Sequence, residues 1–195
     1  MTGLEPVIAA LGAGGVVGVP TDTVYGIACR PDDPAALARV YALKRRPQEM
    51  EVGLLAASAA QLEPLVAMPA SARRLAAAFW PGGLSLVLAA TPGSGLAVPR
   101  SGTTLMVRVP AHTLLRELLG HTGPLAVTSA NRHGEPACTT ATEVAERMAG
   151  ELDALLDGGP GDGRGSTIID CTEDPPRVLR AGPVSFDQLR PHLGG

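Results

Sequence analysis

Short apolar runs alternate with segments of helical spacing along most of the chain, and this alternation limits the fold more than any other feature. Runs rich in Val, Leu and Ile predict buried strands, and a Pro at the start or a Gly after the end of the other segments predicts helices. The predicted strands are residues 16–19, 27–29, 53–57, 84–88, 105–109, 125–128, 166–170 and 178–179. The predicted helices are residues 4–11, 34–43, 61–66, 71–79, 113–119, 142–148 and 186–189. The alternation predicts an α/β fold.

The connections around residues 84–109 and 166–180 are hairpin-like, so the sheet cannot be wholly parallel. We therefore expect a mixed, twisted sheet flanked by helices. A chain of 195 residues can bury an extensive core without metals or disulfides, and we expect residues 1–195 to form a single domain with its core at about 7–190.

Composition narrows the classes of function. The net charge of -3 does not predict a nucleic-acid binder and favours a small-molecule substrate, although a local basic surface stays open. The sequence contains no P-loop, no dinucleotide-binding Gly-x-Gly-x-x-Gly, no His-Glu-x-x-His and no Gly-x-Ser-x-Gly. Three cysteines without metal-ligand spacing predict reduced thiols, and no apolar run approaches the ~20 residues that span a bilayer. We expect a cytoplasmic protein that has no membrane partner.

Residues 16–29 suggest a binding site. An apolar run ends at Pro20, and two hydroxyls and a carboxylate follow before Tyr25 and a glycine. Similar polar groups recur at other strand ends, where ligands gather in α/β sheets. These residues are Thr21, Asp22, Thr23, Tyr25, Lys44, Arg46, Arg108, Thr128, Ser129, Asn131, Ser166, Thr167 and Arg180. Arg108 lies inside a predicted strand and therefore needs a partner. Taken singly, each residue fits an ordinary structural role.

Taken together, seven segments resemble the YrdC family of threonylcarbamoyl-AMP synthases in content and order. They are Pro-Thr-Asp-Thr-Val-Tyr-Gly from residue 20, Leu-Lys-x-Arg-Pro from 43, Trp-Pro-Gly from 80, Val-Arg-Val-Pro from 107, Thr-Ser-Ala-Asn from 128, Gly-Ser-Thr-Ile-Ile-Asp from 165 and Leu-Arg-Ala-Gly from 179. The resemblance implies a YrdC-type α/β fold with a concave positive cleft. It also implies that L-threonine, bicarbonate or CO2, and ATP react to form threonylcarbamoyl-AMP and pyrophosphate.

The resemblance also implies roles for single residues. Lys44 and Arg46 would be catalytic and would bind the ATP phosphates. Threonine would contact Thr21, Thr23, Tyr25, Arg108, Thr128 and Ser166. The nucleotide would contact Thr104, Ser129, Asn131 and Arg180 as well. Mg2+ would bind mainly through phosphates and waters, because no carboxylate cluster at fixed spacing is visible in the sequence, and no protein ligand is expected for it. A downstream transferase would then modify tRNA, with weak contact between tRNA and this chain.

The chain departs from the family pattern just after the basic motif. Many relatives have a polar Asn or Lys there, then Pro or Gly and Leu, and some have a His further on, whereas this chain has Met50 and Glu51, with Leu55 near the position of the His. Met50 cannot donate a hydrogen bond to a phosphate. Two alternatives stay open, of which the second is motivated by the change at Met50. One is a relative that adenylates a carbamoyl group, and the other is a non-catalytic RNA-binding paralogue.

Overall fold

The computed structural model describes residues 3–45, 52–97 and 104–193. Its helices are α1 (Leu4–Gly12), α2 (Pro34–Lys44), α3 (Ala59–Leu62), α4 (Ala70–Phe79), α5 (Thr113–Thr122), α6 (Ala141–Arg147) and α7 (Phe186–Leu193). Its strands are β1 (Val17–Val19), β2 (Gly26–Cys29), β3 (Gly53–Leu55), β4 (Leu84–Ala89), β5 (Thr104–Arg108), β6 (Leu125–Ser129), β7 (Ala154–Leu155), β8 (Thr167–Asp170) and β9 (Arg177–Arg180). The predicted α/β class is confirmed.

The nine strands of the described residues form one mixed sheet in the order β7-β1-β2-β6-β3-β5-β4-β8-β9. The pairs β1/β7, β3/β5 and β4/β8 are parallel, and the other five pairs are antiparallel. The two predicted antiparallel connections are both present, as β4/β5 and β8/β9. Crossovers bring strands from distant parts of the chain side by side, so polar residues that are far apart in sequence reach one surface.

The sheet separates two apolar clusters. The larger cluster contains residues of α2 and α4 together with the strand residues that point towards these helices, such as Leu105 and Val107 of β5. The smaller cluster packs α1 and α5 against the opposite face of β1, β2 and β6. Successive strand residues point to opposite faces, so Met106 and Arg108 of β5 face away from the larger cluster. That face forms the floor of a cleft.

Local hydrogen bonds explain where several helices begin. Asp33 accepts bonds from the backbone N–H groups of Ala35 and Ala36, and Pro34 occupies the first position of α2. Thr140 and Glu143 form a capping box at the start of α6. Helix α2 ends at Lys44, where Arg45 adopts a left-handed conformation with φ of 49°. The predicted change from helix to loop at the basic motif is thus confirmed.

Four details of the predicted elements were wrong. Ser71 and Thr142 were expected to cap helices, but the N-cap residues are Pro69 and Thr140. The helix expected at residues 61–66 is the shorter α3, because Val66 instead forms a β-bridge with Ala90. The two-residue strand β7 was not predicted. It owes its conformation to pairing with β1 and has too few residues to show a pattern.

Candidate active site

A cleft of about 450 Å3 lies over the face of the sheet that carries Met106 and Arg108. Its lining combines glycines and apolar side chains with polar residues from several strand ends. The polar lining residues are Thr21, Thr23, Tyr25, Ser85, Arg108, Thr128, Ser129, Ser166 and Arg180. Eight of the predicted threonine or nucleotide residues, all of these except Ser85, therefore converge here. The sequence predicted this convergence from strand ends alone.

Arg108 is the most constrained cation in the cleft and is only 5% exposed. Its Nε donates to the carbonyl oxygen of Gly82 at 2.8 Å, Nη1 donates to Thr23 Oγ1 at 2.9 Å, and Nη2 forms an ion pair with Asp22 Oδ1 at 2.6 Å. Burial lowers the pKa of this guanidinium, and the neighbouring Asp22 carboxylate opposes that shift. The expectation that a strand-embedded arginine needs a partner is confirmed, and its charged partner belongs to the protein itself.

The threonine hydroxyls before β2 first of all hold their own loop. Thr21 Oγ1 donates to the carbonyl oxygen of Val24 at 2.6 Å and accepts from the N–H groups of Thr23 and Val24. Thr23 Oγ1 lies 3.0 Å from Thr21 Oγ1 and also receives the bond from Arg108. Short side chains with hydroxyls commonly stabilise turns in this way. Thr23 thereby joins the turn to the cation in the cleft.

Tyr25 connects the same loop to the glycine-rich segment at residues 158–165. Its hydroxyl lies 2.9 Å from the carbonyl oxygen of Gly159 and 3.3 Å from Asp157 Oδ1, and it accepts from the N–H of Gly158. Burial is the main reason why the pKa of Tyr25 is raised, and the Asp157 carboxylate adds to the shift. The side chain lines the cleft, while its hydroxyl binds the protein.

The glycine-rich segment packs directly on the backbone of the loop before β2. The N–H of Gly163 donates to the carbonyl oxygen of Thr23 at 2.9 Å. A Cβ at Gly161 would lie 2.5 Å from that same oxygen, so only glycine allows this approach. The segment then continues along the cleft, where Gly163 and Gly165 form part of the lining.

A second polar group lies on β4, on β9 and at the residue just before β8. Ser85 Oγ and Ser166 Oγ are 2.8 Å apart, and both residues are buried. Arg180 donates from Nε to the carbonyl oxygen of Ser166 at 2.9 Å and from Nη2 to Ser166 Oγ at 3.2 Å. Burial lowers the pKa of Arg180. Arg180 therefore adds a second cation to the lining of the cleft, beside Ser166.

The third polar group joins the end of α2 to the end of β6. Lys44 is 3% exposed, and its Nζ donates to the carbonyl oxygen of Ser129 and to Asn131 Oδ1, each at 2.7 Å, and to Ser129 Oγ at 3.2 Å. Ser129 lines the cleft, so Lys44 and Asn131 lie directly behind its wall. Lys44 is also the single lysine of the chain, which has fifteen arginines.

Two predicted site residues lie elsewhere or cannot be placed. Thr104 is at the start of β5 and is not among the lining residues. Arg46 lies outside the described residues, as do Met50 and Glu51, on which the departure from the family pattern depended. Leu55, the third position of that departure, lines the cleft.

The sequence did not single out every polar group of the cleft. Asp22 was noted as a polar strand-end residue but received no role, and Ser85 was not considered. Ser85 is the only hydroxyl in the apolar run at residues 84–88, and an isolated hydroxyl inside a buried strand could have served as the signal. Among the residues that the structure describes, no helix is both long and apolar enough to span a membrane.

Fold and site together define an α/β protein with a cleft that is lined by hydroxyls and two arginines at the ends of several strands. The domain model for Sua5, YciO and YrdC, described as "Telomere recombination", matches residues 9–182. A threonylcarbamoyl-AMP synthase from Chromohalobacter salexigens is 42% identical over 169 residues, which cover 84% of this chain and 89% of that protein. The chain belongs to the Sua5/YciO/YrdC family, as its sequence motifs predicted.

Solved structures agree with this assignment. The crystal structure of Pyrococcus abyssi Sua5 complexed with L-threonine has a TM-score of 0.89 and 35% sequence identity, and the match covers 98% of this chain. This chain spans 57% of that Sua5 chain. Escherichia coli YciO is 26% identical with a TM-score of 0.83, and the match covers 92% of this chain and 89% of YciO.

Proposed function

We propose that this protein is an L-threonylcarbamoyladenylate synthase. It would join L-threonine, bicarbonate or CO2, and ATP into threonylcarbamoyl-AMP and release pyrophosphate. Family membership supports the proposal, as does the name threonylcarbamoyl-AMP synthase that several relatives carry. The similarity to a Sua5 structure that contains L-threonine supports the choice of amino acid.

The observation that carries the proposal is the placement of two guanidiniums, the buried one of Arg108 and the more exposed one of Arg180, and a set of hydroxyls along one cleft. Arg108 and Arg180 both line it, and Thr23, Thr128 and Ser166 lie among them. A carboxylate needs a cation at one end of such a cleft, and a phosphate needs a cation at the other. Guanidiniums suit both groups because they donate paired hydrogen bonds to planar or tetrahedral anions.

In this reaction the protein mainly has to position the substrates and neutralise negative charge on the phosphate. The threonine amine reacts with bicarbonate to give a carbamate and water, and a carbamate oxygen then attacks the α-phosphorus while pyrophosphate leaves. Negative charge develops around the phosphorus, so fixed cations and N–H donors lower the barrier without a covalent intermediate. Arg108 would bind the threonine carboxylate with the N–H groups that its contacts to Gly82, Thr23 and Asp22 do not use.

Within this proposal the six threonine-site residues divide into two groups. Thr23, Arg108, Thr128 and Ser166 would face the amino acid. Thr21 and Tyr25 would act by holding the loop before β2 and the glycine-rich segment, because their hydroxyls bond to the backbone of those segments.

The nucleotide would lie nearer the end of β6. Ser129 and Arg180 line the cleft, and Lys44 and Asn131 support Ser129 from behind. We assign Lys44 and Arg46 to the phosphates and Thr104 to the nucleotide on the family resemblance. Lys44 would reach a phosphate by exchanging its long contact to Ser129 Oγ for a phosphate oxygen.

Mg2+ would accompany the triphosphate. The described residues contain no group of three or more His, Cys, Asp or Glu side chains that could hold a metal ion. An ion brought by ATP would therefore keep phosphate oxygens and waters as most of its ligands, which suits the reluctance of Mg2+ to lose water. When bound, the ion would offset the phosphate charge.

We place the reaction in the cytoplasm, because all three cysteines are buried free thiols. The product, a mixed anhydride, is reactive, and a separate tRNA threonylcarbamoyl transferase would consume it. We expect residues 1–195 to act as one catalytic unit, with weak tRNA contact at most.

Pyrophosphate release tests the proposal directly. Release should require L-threonine, bicarbonate and ATP together and should stop when any one is omitted. Release without threonine would refute the amino-acid assignment, and release driven by carbamoyl phosphate would favour a carbamoyl-adenylating relative. Complete inactivity together with RNA retention that depends on Arg46 would favour a non-catalytic RNA-binding protein.

A further inference from the structure

Four polar or cleft-facing residues form a row across neighbouring strands of the sheet. The pairing of Leu86 with Val107 continues to place Ser85 of β4 opposite Arg108 of β5. Ser85 also pairs with Ile168 of β8, which pairs in turn with Arg180 of β9. Side chains that are directly opposite on adjacent strands lie within about 5 Å at Cβ. Ser85 therefore lies beside Arg108, on the side that faces Arg180.

The Ser85–Ser166 pair has one hydrogen-bond donor and one acceptor left over for a ligand in the cleft. Ser166 Oγ accepts from Arg180, and the two hydroxyls share one bond at 2.8 Å. Whichever serine donates this bond, one of the two O–H groups remains to donate elsewhere, and Ser85 Oγ keeps a lone pair that can accept. Together the pair thus offers one donor and one acceptor.

Only some ligand groups can bond to both the free donor and the free acceptor of the serine pair. A carboxylate or phosphate oxygen can accept the O–H but has no proton for the Ser85 lone pair. A methyl group would satisfy neither and would bury both without partners, which is costly in a site where Ser85 is 3% exposed. A hydroxyl both donates and accepts, and therefore matches the pair.

We propose that Ser85, together with Ser166, recognises the side-chain hydroxyl of the amino-acid substrate and so determines specificity for a hydroxylated amino acid. The choice of threonine rests on the proposed function. In threonine the carboxylate and the β-hydroxyl are separated by two carbon atoms. A carboxylate at Arg108 thus places the hydroxyl at the neighbouring strand position, which Ser85 occupies. An amino acid of the same shape without the hydroxyl, such as valine, is rejected because the serine pair loses its partner.

The test compares the binding of L-threonine and L-valine to the full chain and to Ser85→Ala, measured by calorimetry. The wild-type protein should bind threonine at least about tenfold more tightly than valine, the discrimination expected from one donated and one accepted bond. In Ser85→Ala the threonine/valine ratio should fall by about tenfold, because threonine loses a partner and valine gains room for its methyl group. Ser85→Thr, which keeps the hydroxyl, should restore most of the ratio.

Ser58→Ala is the matched control, since Ser58 lines a separate cavity of about 370 Å3 and its side chain makes no capping bond. It should leave the ratio unchanged. Equal affinity of the wild-type protein for threonine and valine would overturn the inference even if Ser85→Ala failed to fold. An unchanged ratio in a folded Ser85→Ala protein would also overturn it.

A panel of serine, allo-threonine and alanine separates this inference from the proposed function. If another hydroxylated amino acid is preferred over its counterpart without the hydroxyl, and Ser85→Ala removes that preference, the inference stands even if pyrophosphate release does not depend on threonine. If no amino acid binds the wild-type protein, the inference is wrong.

Discussion

Replacing Lys44 by methionine should destabilise the fold well beyond the loss of an ordinary surface charge. The substitution keeps an unbranched side chain of similar length and removes the ammonium group. It leaves the carbonyl oxygen of Ser129 and Asn131 Oδ1 without the donor that now lies 2.7 Å from each. One acceptor is the last residue of β6 and the other lies two residues beyond it, so the damage would reach the wall of the cleft.

The size of the effect follows from these contacts. Hydrogen bonds to a charged group contribute about 1.5 to 3 kcal/mol each, so two short bonds contribute about 3 to 6 kcal/mol. Burial of the methionine sulfur and methyl group returns about 1 kcal/mol. We expect a net loss of about 2 to 5 kcal/mol, a large part of the roughly 5 to 15 kcal/mol that stabilises a typical domain.

Urea unfolding measures this loss as a lower midpoint at an unchanged m-value. The control is Arg45→Met, which removes the neighbouring positive charge from an exposed side chain. Arg and Met are both non-glycine residues at this left-handed position, so the backbone cost is unchanged, and stability should change by less than about 0.5 kcal/mol. Lys44→Arg should fall between the two, because a planar guanidinium cannot direct three bonds as the ammonium does. Equal midpoints for Lys44→Met and Arg45→Met would refute the reasoning.

Three further predictions concern the surroundings of the cleft. Tyr25→Phe removes the hydroxyl that binds the glycine-rich segment and should cost about 1 kcal/mol in urea unfolding, whereas an unchanged midpoint would show that the bond contributes nothing. Gly161→Ala should lower both stability and pyrophosphate release, because the new Cβ would lie 2.5 Å from a backbone oxygen of the facing loop, while Gly120→Ala, in open space on α5, should stabilise the protein. Burial raises the pKa of the Cys29 and Cys171 thiols from 9.0 to about 12, so their contribution to stability is complete below pH 9 and is lost as the pH rises towards 12. The unfolding temperature in the presence of a reductant should therefore fall over this range, and it should fall less when both cysteines are replaced by alanine.

The fold could be predicted from sequence where a pattern is local. Alternating apolar runs gave the strands that now form one sheet, and the mixed character followed from two short connections. Elements that depend on a distant partner could not be predicted in this way. Strand β7 exists because β1 pairs with it, and the helix expected at residues 61–66 is cut short because Val66 bridges to Ala90. The cap at Thr140 could have been predicted, because Thr140 and Glu143 have the spacing of a capping box.

The candidate site also has a part that could be predicted from the sequence and a part that could not. Strand-end hydroxyls and cations are visible in sequence, and Thr23, Arg108 and Ser166 do reach one cleft. Their partners are not visible, because each lies far along the chain. The pairing of Asp22 with Arg108 spans 86 residues, and that of Ser85 with Ser166 spans 81. The sequence indicated that Arg108 needs a partner, and only the fold showed which carboxylate it has.

Because the chain has a single lysine, chemical modification of its amine can measure local opening of the fold. Acylating reagents that attack side-chain amines have a single target, Lys44, and its Nζ is buried against the end of β6. Modification of that amine therefore requires the junction of α2 and β6 to open. The rate of acylation, read by mass spectrometry as one added group on one peptide, would report the frequency of that opening in the intact protein without any engineered label. A bound nucleotide that closes the junction would slow the same reaction. A reagent normally used for surface mapping would thus measure how often the interior beside this cleft opens.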